Sequence, residues 1–198
     1  YLWTLPMFHA NGWTFVWTVT AAGATHICLR KCEPRAVFEL MAKEKVTMLS
    51  AAPTVLISLA NAKGVRQLAP KGIRVFTAGA PPAASTIQRL EEELGWTIIH
   101  VYGLTETAPF ITVCEPRAEH ASLKISERAA IKARQGVELI TSGELRVVDK
   151  EGNDVPQDGI SQGEIVARGN VIMAGYYNDP EATDQALRGG WFHSGDAA

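Results

Sequence analysis

Charge of either sign is missing from the start of the sequence: no Asp, Glu, Lys or Arg occurs in residues 1–29. Such a stretch resembles a signal peptide or a membrane span, and its composition excludes both. No basic segment leads into it, and a spanning helix needs about 20 predominantly apolar residues. Here Pro6, His9, Asn11, Gly12, Gly23 and several threonines interrupt the run. A segment buried in an α/β core is expected instead, with no integral membrane segment.

Cysteine is scarce as well. Cys28, Cys32 and Cys114 are an odd number, too few for a disulfide framework, and a reducing compartment is expected. His26, Cys28 and Cys32 share an H-x-C-x3-C spacing. A structural zinc site wants four ligands, usually in two close pairs, so buried thiols are the expectation there. Long blocks of one charge are absent too: 19 basic and 21 acidic residues give a net −2. Nucleic-acid binding would call for a basic face or stripe, so no nucleic-acid partner is expected. Repeats and low-complexity stretches are lacking. At 46% apolar and 20% charged, the 198 residues have the make-up of an ordinary globular chain of one to one and a half domains. It starts at Tyr1 and stops just after Asp196, and reads as cut at both ends.

What is present alternates between helix and strand. Pro34 suits a first helical turn, and Val37, Leu40 and Met41 then form one apolar face. Residues 46–50 are a β-rich apolar run. Pro53 opens a helix with Leu56, Leu59 and Ala60 on one side, and residues 73–77 read as a strand. Ser85 is placed to cap the next helix, whose apolar face is Ile87, Leu90 and Leu94 and which Gly95 stops. Residues 97–102 form the following strand. Trp13 and Trp17, four apart, fall on one helical core face, and Glu91, Glu92 and Glu93 read as a solvated one. Residues 118–134 lack a strong apolar face and are expected to form a solvated helix and connector. Two short strands at 143–149 and 163–169, joined by turn residues at 150–153, predict antiparallel pairing. Asp179 can cap a short helix that has Pro180 at its first position. The expected fold is therefore α/β, a mostly parallel sheet with flanking helices followed by a small antiparallel β-rich subdomain. The expected division is residues 1–135 and 136–198.

In open α/β sheets ligands bind outside the carboxyl ends of the strands. Two such ends carry unusual loops. Ala78-Gly79-Ala80-Pro81-Pro82 is built of small residues that permit close backbone approach. Tyr102-Gly103-Leu104-Thr105-Glu106-Thr107 combines an aromatic face, a glycine, two hydroxyls and a carboxylate. A hydroxyl can donate to a phosphate, a carboxylate can hold Mg²⁺ together with substrate phosphates, and an aromatic ring can stack on a base. Chemistry alone makes this a candidate nucleotide site.

The run 102–107 resembles the Y-G-x-T-E motif of the acyl-adenylate-forming superfamily. Further segments stand in family-like order: 6–13 (PMFHANGW), 78–82, 163–169 (GEIVARG), 175–178 (GYYN) and 190–196 (GWFHSGD). The first and last of these are most similar to short- and medium-chain fatty acyl-CoA synthetases and the plant acyl-activating and benzoate–CoA ligase group. The resemblance implies that Glu106 binds a Mg²⁺ bridging ATP phosphates and that Thr105 hydrogen-bonds the α-phosphate. It implies adenine lying between Tyr102 and the loop Ala78 to Pro82, with Val101 and Gly103 completing the nucleotide site and Gly79 and Tyr102 also facing substrate. Asp196 would accept hydrogen bonds from both ribose hydroxyls. His9 would sit beside the acyl carboxylate and Trp13 near a limited acyl pocket.

The implied activity is that of an AMP-forming acyl-CoA synthetase. It activates a short- or medium-chain or aromatic carboxylic acid as acyl-adenylate and passes it to CoA. The carboxylate is itself the nucleophile, so the absence of G-x-S-x-G fits. The family's phosphate loop would lie upstream of Tyr1 and its C-terminal domain beyond Ala198, so the chain alone is expected to be inactive. Ser194 stands where threonine is common before the Gly-Asp pair. Two alternatives stay open: transfer to a carrier-protein thiol or another acceptor, and a non-catalytic nucleotide- or acyl-binding relative. A cytoplasmic location is expected, peroxisomal in a eukaryote.

Overall fold

The computed structural model describes residues 1–198. Seven strands form one sheet: β1 (Leu2–Trp3), β2 (Ile27–Cys28), β3 (Met48–Ser50), β4 (Arg74–Thr77), β5 (Thr97–Gly103), β6 (Phe110–Cys114) and β7 (Val137–Glu138). Their order is β2-β1-β3-β4-β5-β6-β7. The pairs β1–β2, β1–β3, β3–β4 and β4–β5 are parallel. A second sheet of order β10-β9-β8 holds β8 (Glu144–Val148), β9 (Glu164–Arg168) and β10 (Phe192–Ala197), both pairs antiparallel. The mostly parallel sheet and the small antiparallel one are as the sequence predicts. The chain divides into two compact units, residues 1–102 with 112–137, and residues 103–111 with 138–198.

In the first unit the register explains why the strands read as apolar runs. Leu2, Leu49, Val75 and Ile98 lie in one row across β1, β3, β4 and β5, and all four are fully buried. Strands of a parallel sheet are covered on both faces and need no polar alternation. Helices α3 (Pro34–Lys43), α4 (Pro53–Ala60) and α5 (Ala84–Leu94) supply the cover. Val37, Phe38 and Met41, then Leu56 and Leu59, then Ile87, Leu90 and Leu94 join the same core. Each such side chain contributes about 1.5–3 kcal/mol by leaving water.

Several expectations are corrected here. Ser85 does not cap α5: the N-cap position is Ala83, with no side-chain cap, and Ser85 lies inside the helix. Glu91 is not on a solvated face. Its carboxylate is buried against the Lys132 ammonium and accepts Ile98 N–H at 3.1 Å. Lys132 ends α6 (Ile125–Lys132), whose Ala129 is fully buried in the core. The segment read as a solvated connector is thus anchored by an alanine and a buried ion pair, features that an apolar-period search does not weigh. Cys28 and Cys32 are exposed and only Cys114 is buried. Buried His100 in β5 is paired: its Nδ1 lies 2.8 Å from the Arg134 carbonyl, and desolvation lowers its pKa.

The second unit is built on turn chemistry. Asp149 Oδ1 accepts the amides of Glu151 and Asn153, closing the β8–β9 turn region. Asp179 Oδ1 accepts Ala182 N–H at 3.0 Å and caps α7 (Pro180–Ala186), with Pro180 in the first turn as expected. Val148, Ile165, Val166, Ala167 and Phe192 are buried. Arg168 binds Glu144 through both carboxylate oxygens and lies 4.6 Å from the Trp191 ring centre, a structural role.

Candidate functional site

Parallel strand pairing sets the carboxyl ends of β1, β3, β4 and β5 along one edge of the first unit's sheet. The loop 78–82 leaves β4, with Ala78 and Pro82 buried and Gly79, Ala80 and Pro81 exposed. In the register of β4 and β5, Thr77 stands opposite His100, so buried Val101 and half-buried Tyr102 follow at the neighbouring strand end. The structure therefore brings the small-residue loop and the tyrosine to adjacent positions.

Beyond β1 the backbone does something the sequence does not announce. Ala10, Asn11, Gly12, Trp13 and Thr14 all have positive φ, between 45° and 64°. They form a left-handed turn, α1 (Ala10–Trp13), closed by Trp13 N–H to the His9 carbonyl and Thr14 N–H to the Ala10 carbonyl. For non-glycine residues this conformation is unfavourable by roughly 1–2 kcal/mol each, and such strain concentrates at functional sites. It also overturns the shared face of Trp13 and Trp17. The right-handed helix α2 (Phe15–Ala21) starts only after Thr14, so Trp13 is buried while Trp17 is 66% exposed. His9 is exposed at the head of this turn. His26, by contrast, is a structural histidine: Nδ1 accepts Trp3 Nε1–H at 3.0 Å and Nε2 lies 3.0 Å from Thr20 Oγ1.

The second unit carries Thr105, Glu106 and Asp196. Gly103 opens the loop where only a glycine fits, since a Cβ would come within 1.7 Å of the Pro109 carbonyl oxygen. Thr107 is fully buried. Its hydroxyl donates to the Leu104 and Pro109 carbonyls and accepts Leu104 N–H. With the second threonine committed to holding the loop, Thr105 stays exposed and Glu106 half-buried beside it. The Glu106 carbonyl accepts Met173 N–H at 2.8 Å, and its Oε1 accepts the Tyr176 hydroxyl at 2.9 Å. That hydrogen bond, then burial and the nearby negative charge, raises the Tyr176 pKa. Tyr176 lies on the segment that follows β9, so the loop bearing Glu106 is tied to the small sheet. The sequence places Tyr176 in the GYYN run without giving it a role.

Asp196 is half-buried on β10. Its amide donates to Ser194 Oγ at 3.1 Å, and Ser194 Oγ donates to the Ile165 carbonyl of β9 at 2.7 Å. No group of three His, Cys, Asp or Glu side chains gathers as a preformed metal cage. One half-buried carboxylate with Oε2 left by its protein partner nonetheless suits Mg²⁺, which typically takes one or two carboxylates plus substrate phosphates.

The profile described as "AMP-binding enzyme" matches residues 1–177. The chain belongs to the AMP-binding enzyme family. Among relatives of this family, 4-hydroxybutyrate–CoA ligase 2 of Metallosphaera sedula is 46% identical over all of this chain and 36% of its own length. The peroxisomal acetate/butyrate–CoA ligase AAE7 of Arabidopsis thaliana is 44% identical over all of the chain and 35% of its own. The N-terminal domain of FACL13 from Mycobacterium tuberculosis superposes with a TM-score of 0.82 at 25% identity, covering 99% of this chain and 47% of that one. An amide bond synthetase from Marinactinospora thermotolerans gives 0.83 at 29%, covering 99% and 38%. This AMP-binding chain thus spans about a third of the length of the curated relatives it matches. No helix in it is long and apolar enough to cross a membrane.

Proposed function

We propose that this chain is the nucleotide- and acyl-binding part of an AMP-forming acyl-CoA synthetase acting on a short- or medium-chain or aromatic carboxylic acid. The observation that carries the reading is the Glu106 carboxylate, fixed by Tyr176 through one oxygen and leaving the other for a cation, on a loop that exposes Thr105. In this reading Glu106 holds Mg²⁺, which supplies charge neutralisation at the ATP phosphates. Thr105 donates to the α-phosphate, and Asp196 accepts the ribose hydroxyls. Tyr102 and the 78–82 loop, with Val101 and Gly103, receive adenine. His9 and the left-handed turn that positions Trp13 stand at the acyl carboxylate, with Gly79 and Tyr102 at the same end.

The reaction needs no nucleophile from the protein. The substrate carboxylate attacks the α-phosphorus of ATP and pyrophosphate leaves. The CoA thiol then attacks the acyl carbonyl and AMP leaves. Positioning and hydrogen-bond donation to the phosphate supply the rate. The relatives' names, with CoA ligases of hydroxybutyrate and of acetate or butyrate among them, support CoA as acceptor and a small acid as substrate. A name with "peroxisomal" in it supports that location as the alternative to the cytoplasm.

The test is AMP release from Mg-ATP by the full-length protein across acetate, butyrate, 4-hydroxybutyrate, octanoate, palmitate and benzoate, with and without CoA. Acid-dependent AMP that rises steeply with CoA is expected. Acid-dependent pyrophosphate with no effect of CoA would move the acceptor to an amine or carrier thiol. No nucleotide turnover with any acid would leave a binding module.

A further inference from the structure

The residue with the most unexplained work in the second unit is Glu164, the first residue of β9. Its two carboxylate oxygens receive three donors, all from the segment leading to Asp196. Oε1 accepts the Gly195 amide at 3.0 Å, and Oε2 accepts Arg188 at 3.1 Å and lies 2.8 Å from His193 Nδ1. Gly195 has φ +74°, and the ladder between β10 and β9 slips between His193 and Ala197. A strand that must bend there loses its regular cross-strand bonds, and something else must receive the freed amide. Glu164 does so from the neighbouring strand. Ser194 closes the other side, taking the Asp196 amide and donating to the Ile165 carbonyl. The turn is thus built from two adjacent residues of β9, one through its side chain and one through its backbone.

We infer that Glu164 is a positioning residue for nucleotide recognition, holding the 193–196 turn in the one shape that presents Asp196 to a ribose diol. This rests on the reading of Asp196 given above. A carboxylate is suited to the task because all three of its partners donate. A neutral amide at the same place satisfies one side and turns an N–H₂ toward donors on the other. Burial disfavours the charge on Glu164, but the hydrogen bonds from His193 and Gly195 and the positive charge of His193 and Arg188 outweigh it and lower its pKa. Tyr176, by comparison, supports only the phosphate end of the site through Glu106.

The experiment is calorimetric binding of AMP and of 2′,3′-dideoxy-AMP to the full-length protein, which requires no turnover. Hydrogen bonds to a charged acceptor predict that the unaltered protein prefers AMP by about tenfold or more. Asp196→Ala brings that ratio close to one. Glu164→Ala is expected to weaken AMP about tenfold and dideoxy-AMP hardly at all, so the ratio collapses as it does in Asp196→Ala, with Glu164→Gln intermediate. Equal weakening of both nucleotides would make Glu164 merely structural and overturn the inference, as would an unchanged ratio. If Asp196→Ala kept the full preference, the ribose role itself would fall, a result distinct from failure at Glu164. Should Glu164→Ala not fold, Glu164→Gln and His193→Asn read the same ratio.

Discussion

Replacing Lys132 by methionine probes the element least visible in the sequence. Both side chains of the Lys132–Glu91 pair are only 9% exposed. Without the ammonium, the Glu91 carboxylate stays buried with a single remaining donor, the Ile98 amide. Removing one partner of a buried pair typically destabilises by about 3–5 kcal/mol, because the other charge is left without compensation. The retained N–H places the expected loss near 3 kcal/mol, the lower end of that range. For a chain of about 200 residues each kcal/mol moves Tm by roughly 2–4 °C, so Lys132→Met should melt about 6–12 °C lower. Adding Glu91→Gln removes the stranded charge and keeps an oxygen for the Ile98 amide. The double variant should return to within about 1 kcal/mol of the unaltered protein. Thermal and urea unfolding of both variants, followed by circular dichroism, decide it. An unchanged Tm in Lys132→Met, or a double variant as unstable as the single, would refute the reasoning.

Other outcomes follow from the geometry. Thr14→Gly relieves a β-branched residue from φ +64° and should stabilise the protein by about 1 kcal/mol, measured by urea midpoint. Gly103→Ala drives a Cβ into the Pro109 carbonyl; the displaced 105–106 loop should cost most nucleotide turnover, seen in pyrophosphate release. Tyr176→Phe frees Glu106 Oε1 and should raise the Mg²⁺ concentration giving half-maximal pyrophosphate release several-fold, roughly the worth of one exposed charged hydrogen bond, with little change in Tm. Because the folded pKa of Glu164 lies below its ordinary 4.5, its contribution to stability is present above that value and is lost as pH falls through the folded pKa. Glu164→Gln should therefore lower Tm at neutral and alkaline pH and flatten its decline on acidification, the two proteins converging at low pH.

Signals carried within a few residues were legible. Val37 and Met41 marked α3, Gly95 marked the end of α5, and Asp179 with Pro180 marked α7, because each acts through its own turn. For Thr105, Glu106 and Asp196, residue type and motif order carry the roles proposed above. Partners far apart in the chain were not legible. Glu91 meets Lys132 across 41 positions and Glu106 meets Tyr176 across 70, so nothing local distinguishes either from a solvated acid. The strand β10 contains Ser-Gly-Asp, which reads as turn, and it counts as a strand only through its pairing with β9. The left-handed turn at 10–14 hid behind an apparent helical spacing of tryptophans; Asn11-Gly12 was its only trace.

The chain crosses between its two units at 102/103, 111/112 and 137/138. Recombination between related proteins at the apparent seam near residue 137 would therefore not exchange a complete unit. Such a chimera would inherit Glu106 from one parent and the tyrosine that holds it from the other, and likewise split the Pro109 loop from the Met173 segment it docks on. A single crossover there would carry a mismatch between the 103–111 loop and the segment that holds it. Parents that agree on both halves of the Glu106–Tyr176 pair would keep that bond in the hybrid.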